Sequence, residues 1–235
     1  MFGAFSRAIG QLLDPSMRRV LKISILASIV AFTILWFLAG ALLTMIHVAA
    51  FAWLDYVIDL AGGVATLMIT WLLFPAVVTL ISELLAEDIC RAVEAKYYPG
   101  QPPAREQRVS EMIIESIRFM VVVVIVNLVA MPIYLLLLLL PPLNLFVFYA
   151  VNGYLLSREY FELVANRRLE ASAARTLARE KRGRLFFAGA VIAFVMTIPV
   201  VNLVAPILAI SVMVHLFEAW RPETVRFNAN AVKNY

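Results

Sequence analysis

Cysteine is nearly missing: Cys90 stands alone, which excludes an internal disulfide framework and a cysteine-rich metal site. Charge is scarce too, at 15% of residues against 63% hydrophobic, and mean hydropathy is +0.89. No soluble domain of this length needs so much apolar surface. The alternating strand segments of a membrane β-barrel are absent. So are a P-loop, G-x-G-x-x-G, H-E-x-x-H and G-x-S-x-G, which excludes an ATP-driven pump and the common soluble-type catalytic sites. With two histidines and no ligand cluster, no metal, no cofactor and no enzymatic activity are expected. What remains is an all-α integral membrane protein.

The charge that exists is placed unevenly. Lysine and arginine occur only in residues 1–22, 91–118, 158–184 and 221–233, whereas 42–59 carries only Asp55 and Asp59. The positive-inside rule puts the four basic segments, and both termini, in the cytoplasm. The pI of about 9.4 thus reflects topology, and no nucleic-acid partner is expected.

Residues 1–13 place Phe2, Phe5, Ile9, Leu12 and Leu13 at helical spacing, which predicts a helix lying in the interface. Asp14-Pro15 restarts a helix, with Asp at the N-cap and Pro at the first helical position. Two long transmembrane helices follow, 15–46 and 60–98, the second extending past its apolar run 60–82 into the cytoplasm until Tyr97-Tyr98-Pro99-Gly100 breaks it.

The rest reads as two re-entrant, half-membrane helical hairpins. The second, 185–217, has apolar arms 185–198 and 203–217, each reaching roughly 21–23 Å against a hydrocarbon core of about 30 Å. Its tip is Pro199-Val200-Val201-Asn202. The first, 119–157, has a leading arm 119–140 long enough to cross and a short return arm 143–156. Its tip Pro141-Pro142-Leu143-Asn144-Leu145 repeats P-x-x-N-L at the tip of the second, which predicts an internal repeat. An alternative register aligns Asn127 with Asn202. Residues 158–184 form a cytoplasmic helix and linker, and 218–235 a cytoplasmic tail of the single membrane domain.

Several polar groups could carry chemistry. The amides of Ser16, Met17 and Arg18 at a helix start, with Arg18 and Arg19 beside them, can hold an anion. The same arginines and Lys22 can equally anchor lipid phosphates. Asn144 and Asn202 are candidate N-caps of the return arms, presenting helix dipoles at depth, or simply satisfy a buried turn. Asn152 and Glu159 lie near one helix face, and Arg158 pairs with Glu162 four residues on; this rim could line a pore. His215 and Glu218 suit a proton relay or half a metal site, against the plainer reading of a structural histidine.

N-G-Y-L-L-S-R-E-Y-F-E (152–162), P-V-V-N-L-V-A-P (199–206), V-H-L-F (214–217) and E-D-I-C-R-A-V-E-A-K-Y-Y-P (87–99) resemble the CysZ sulfate permease family of bacteria, related to the eukaryotic etoposide-induced membrane proteins. The resemblance covers about residues 5–220. It implies an inner-membrane homo-oligomer with two transmembrane helices and two half-membrane hairpins, passing sulfate for cysteine biosynthesis without ATP. Ser16-Met17-Arg18-Arg19 stands where that family has a G-L-R-R-like sulfate site, with Ser16 and Met17 replacing glycine and leucine. The alternative is a non-transporting protein that shapes or binds membrane lipids.

Overall fold

A computed structural model describes residues 2–44, 62–64, 81, 84–105, 108–202 and 204–221. The expected second span, 60–82, and the tail beyond Arg221 lie almost wholly outside these residues. Among the described residues the chain is helical with no strand.

Helix α1, Phe2–Gln11, is amphipathic in an instructive way. Its small residues Ala4 and Ala8 are buried against the protein, while Phe2, Ile9 and Leu13 just beyond it point outward. Large apolar side chains turned away from the core suit an interfacial helix. Helix α2, Pro15–Thr44, starts at the expected proline and is about 45 Å long. Its polar groups Ser24 and Ser28 face inward and its Ile, Leu and Phe side chains face outward, the reverse of a soluble helix. The corner between α1 and α2 is clipped to α3, Ala86–Tyr97, by Gln11 Nε2 donating to the Ala92 carbonyl at 3.2 Å and by Lys96 Nζ on Asp14 at 2.6 Å.

Helix α4, Val109–Leu136, runs on through a 3₁₀ turn at Leu137–Leu139. The charged stretch 109–118 and the apolar arm from 119 run on as one helix, with no breaker between them. Together, Ser110–Leu139 make one apolar helix of 30 residues, about 45 Å and ample to cross a membrane. Its partner α5, Pro141–Ala165, reaches about 37 Å. The first hairpin therefore has arms longer than its apolar runs imply, and its half-membrane character does not follow from length. The second hairpin keeps its short arms: α7, Arg182–Met196, and α8, Ala205–Trp220, are about 22 and 24 Å long. A polar helix α6, Ala171–Glu180, links the two hairpins.

The two tips share one local geometry. At the first, the Asn144 amide donates to the Leu140 carbonyl at 3.2 Å; at the second, the Asn202 amide donates to Ile198 at 2.8 Å. In each case proline opens a helical turn, and Asn144 then sits one turn inside α5. Asn202 instead ends a separate four-residue turn, and α8 begins at Ala205 with Val204 as its N-cap, so neither asparagine is the expected N-cap. Asn127 is different: it lies mid-helix in α4 with Nδ2 on the Val123 carbonyl. The P-x-x-N register of the repeat is the one this bonding favours.

Hairpin packs on hairpin through missing side chains. A Cβ on Gly189 would lie 2.0 Å from the Gly153 carbonyl oxygen and 2.6 Å from Ser157 Cβ, and a Cβ on Gly153 would lie 2.9 Å from Ala190 Cα. Helices α5 and α7 thus cross backbone to backbone, the small-residue contact common between membrane helices. Ser157 keeps that crossing open because it is small. Helix α8 then fills the centre, buried from Ala205 to Glu218 among α1, α3, α5 and α7.

Candidate functional site

Two charged regions sit at the ends of these helices away from the hairpin tips. The first is built on α3. Its Glu87 and Glu94 are two helical turns apart on one face, and Arg167, just past the end of α5, reaches between them. Arg167 Nε and Nη2 hold Glu87 at 2.7 and 2.9 Å, and Nη1 holds Glu94 at 2.7 Å. Arg168 adds Nη2 to Glu94 at 2.7 Å and donates Nη1 to the Pro102 carbonyl. That carbonyl is presented by the loop after α3, which turns at Gly100 with φ 81°, a left-handed conformation that suits glycine. The Arg167 guanidinium holds the Glu87 carboxyl down to about 2. Burial pushes the neighbouring Cys90 thiol up to about 12, which makes it inert. A cavity of about 510 Å³ opens beside this cluster.

The second region lies between the hairpins and α6. Arg118 of α4, Arg158 of α5, Arg175 and Arg179 of α6 and Arg182 of α7 line a separate cavity of about 510 Å³, with Tyr154, Ser157 and Glu162. Arg158 pairs with Glu162 at 2.8 Å, as the four-residue spacing predicts, and Arg175 with Glu115 at 2.6 Å.

At the start of α2, Ser16, Arg18 and Arg19 are exposed, and Met17 is fully buried in the core. The Arg18 amide is spent on the Asp14 carbonyl at 2.8 Å. Of the expected donors, the Ser16 and Met17 amides remain for an anion, alongside two arginine side chains. Lys96 neutralises the Asp14 carboxylate that would otherwise repel an anion there.

The remaining candidates divide by place. Asn144 and Asn202 are half-buried at the tips, and Asn152 is half-buried with Nδ2 on the Phe148 carbonyl. Near those tips Tyr149 Oη and Thr197 Oγ1 meet at 3.3 Å, so the hairpin ends sit side by side. Along α5, Asn144 is about 30 Å from the base that carries Arg167 and about 21 Å from Arg158 of the second region, which keeps the tip apart from both sets of arginines. Glu159 is half-buried and partnered. His215 is buried, its Nδ1 2.9 Å from Tyr98 Oη and its ring edge-on to Tyr97, while Glu218 takes bonds from Gln101 and Arg221. These partners favour the structural histidine over a relay. Among the described residues there is no cluster of metal ligands.

A family model described as sulfate transporter CysZ/etoposide-induced protein 2.4 matches residues 4–206. The chain belongs to this family. Among curated proteins, none matches it. The CysZ/etoposide-induced match takes in most of α1, the start of α2, both arginine-bearing regions and both tips, whereas His215 and Glu218 lie beyond it. With two helices apolar and long enough to cross a bilayer, membership marks a membrane protein of a transport-related family. Sequence reasoning missed the Arg167 cluster. Its partners are 73 and 80 residues away, and Arg167 reads locally as one more charge in a polar linker.

Proposed function

We propose that the protein is a sulfate permease of the bacterial inner membrane, passing sulfate or a related oxyanion without ATP for cysteine biosynthesis. The family description names a sulfate transporter, and that observation carries the reading. Its anion site is the start of α2. There the Ser16 and Met17 amides, the positive helix end and the guanidiniums of Arg18 and Arg19 would converge on one dianion. A charge-assisted cradle replaces part of the water a sulfate must shed. In this reading α7 and α8 form a half-membrane hairpin, since about 22–24 Å falls short of about 30 Å. The protein works as a homo-oligomer with both termini cytoplasmic.

Uptake of labelled sulfate into proteoliposomes tests this. The wild-type chain should carry saturable flux, and Arg18→Ala with Arg19→Ala should reduce it at least tenfold. Flux equal to that of empty liposomes would refute the reading. It would favour the non-transporting, lipid-binding alternative, which the outward-facing apolar side chains of α2 and α4 also suit.

A further inference from the structure

We infer that the cavity between α4, α5, α6 and α7 is a second oxyanion site, built for a tetrahedral phosphate or sulfate group and separate from the start of α2. Five guanidiniums, from Arg118, Arg158, Arg175, Arg179 and Arg182, come together here from four helices. Two of them are balanced, by Glu162 and Glu115. Arg118, Arg179 and Arg182 pair with no carboxylate among the described residues, and all three are exposed at the rim. Gathering like charges around one hollow is unfavourable unless an anion joins them. Guanidinium is also the side chain best matched to phosphate and sulfate, through paired N–H donors.

Depth narrows the ligand further. Arg118 is the last charge before the apolar run of α4, Arg158 the first after that of α5, and Leu185 opens the apolar arm of α7. Val122, Ala178 and Leu185 give the cavity an apolar wall beside its arginines. The site therefore sits where cytoplasmic water meets hydrocarbon. Two sources can supply the same chemistry at that level: the headgroup phosphate of an anionic lipid, or a free oxyanion.

The test uses the full chain in nanodiscs. One arm titrates inorganic sulfate and inorganic phosphate into phosphatidylcholine nanodiscs by calorimetry. The other measures phosphatidylglycerol retained from mixed phosphatidylcholine and phosphatidylglycerol by native mass spectrometry. Both arms compare wild type with Arg118→Gln/Arg179→Gln, with Arg182→Gln, and with Arg18→Ala/Arg19→Ala. Each neutralised cavity arginine should weaken binding about fivefold in at least one arm. The α2 pair should leave that component in place. A loss confined to the lipid arm assigns a headgroup; a loss confined to the titrations assigns a free anion. Unchanged affinity in both arms for both cavity variants, with helicity intact by circular dichroism, overturns the inference. Sulfate flux can fail while cavity binding persists, so the two readings fall separately.

Discussion

Helices α4 and α8 are both strongly apolar, yet they occupy opposite environments. In the Ser110–Leu139 stretch only 6% of the most apolar window is buried, and large side chains from Met112 to Leu139 point outward. In α8 every residue from Ala205 to Glu218 is buried by other helices of the same chain. At about 2 kcal/mol for each large side chain, leaving that face of α4 in water would cost more than the about 5–15 kcal/mol that holds a typical domain together. Lipid, or another apolar surface, must cover it. Hydropathy therefore says that a segment avoids water; only packing says whether protein or bilayer takes its place. The short helix is the protein's own core, and the long one is its boundary.

The largest expected effect comes from neither helix but from the clamp between α3 and the end of α5. Arg167→Ala leaves Glu94 buried with Arg168 alone and Glu87 with the exposed Arg91 alone, and breaking a buried pair costs up to about 3–5 kcal/mol. Thermal unfolding in detergent should show a strongly lowered midpoint, and Arg167→Lys should restore little, because a single ammonium cannot reach both carboxylates in the same fork. An unchanged midpoint would mean that the buried charges do not hold α3 to α5.

A matched pair of truncations addresses the comparison itself. Ile210→Ala in α8 opens a cavity at a fully buried site and should cost about 2–5 kcal/mol. Ile125→Ala in α4 removes the same atoms from a half-exposed site and should stay within about 0.5 kcal/mol in detergent. Equal losses would show that α4 is packed against protein, such as a second copy of the chain, as fully as α8.

Much of this layout was legible before any fold was in view. The Asp14-Pro15 restart, the short arms of the second hairpin and the Arg158–Glu162 pair all depend on neighbours within one or two helical turns, and each appears where the spacing puts it. The reach of the first hairpin was less legible, because the charges of 105–118 mask a helix that continues unbroken. The asparagine tips misled for a related reason: asparagine is a good cap in isolation, but at the first tip Pro141 already fixes the helix start, and at the second the return arm begins beyond Asn202, at Ala205. Least legible were the two arginine clusters. Arg118 lies about 40 residues before Arg158, and the Arg175–Arg182 stretch about 17 or more after it; the crossing at Gly153 and Gly189 brings α5 and α7 together beside one cavity.

The smallest effect is a pH dependence, and its sign follows from one carboxylate. Glu87 lies on α3, beyond the apolar run of the second span, where water reaches its exposed edge. Hydrogen bonds from Arg167 lower its pKa in the folded protein from 4.5 to about 2, opposed in part by burial. A lowered folded pKa means that the ionised form is favoured by folding, so the contribution is complete above about pH 4.5 and is lost as pH falls toward about 2. Because the side chain is 40% exposed, solvent screens the pairing and the effect stays modest. Unfolding midpoints measured between pH 6 and pH 3 should therefore fall for wild type and fall less for Glu87→Gln. That variant starts lower, since it keeps a weaker hydrogen bond to Arg167 and no charge. Parallel pH profiles would mean that Glu87 does not set the acid sensitivity of the α3 clamp and is a surface charge that the arginine merely touches.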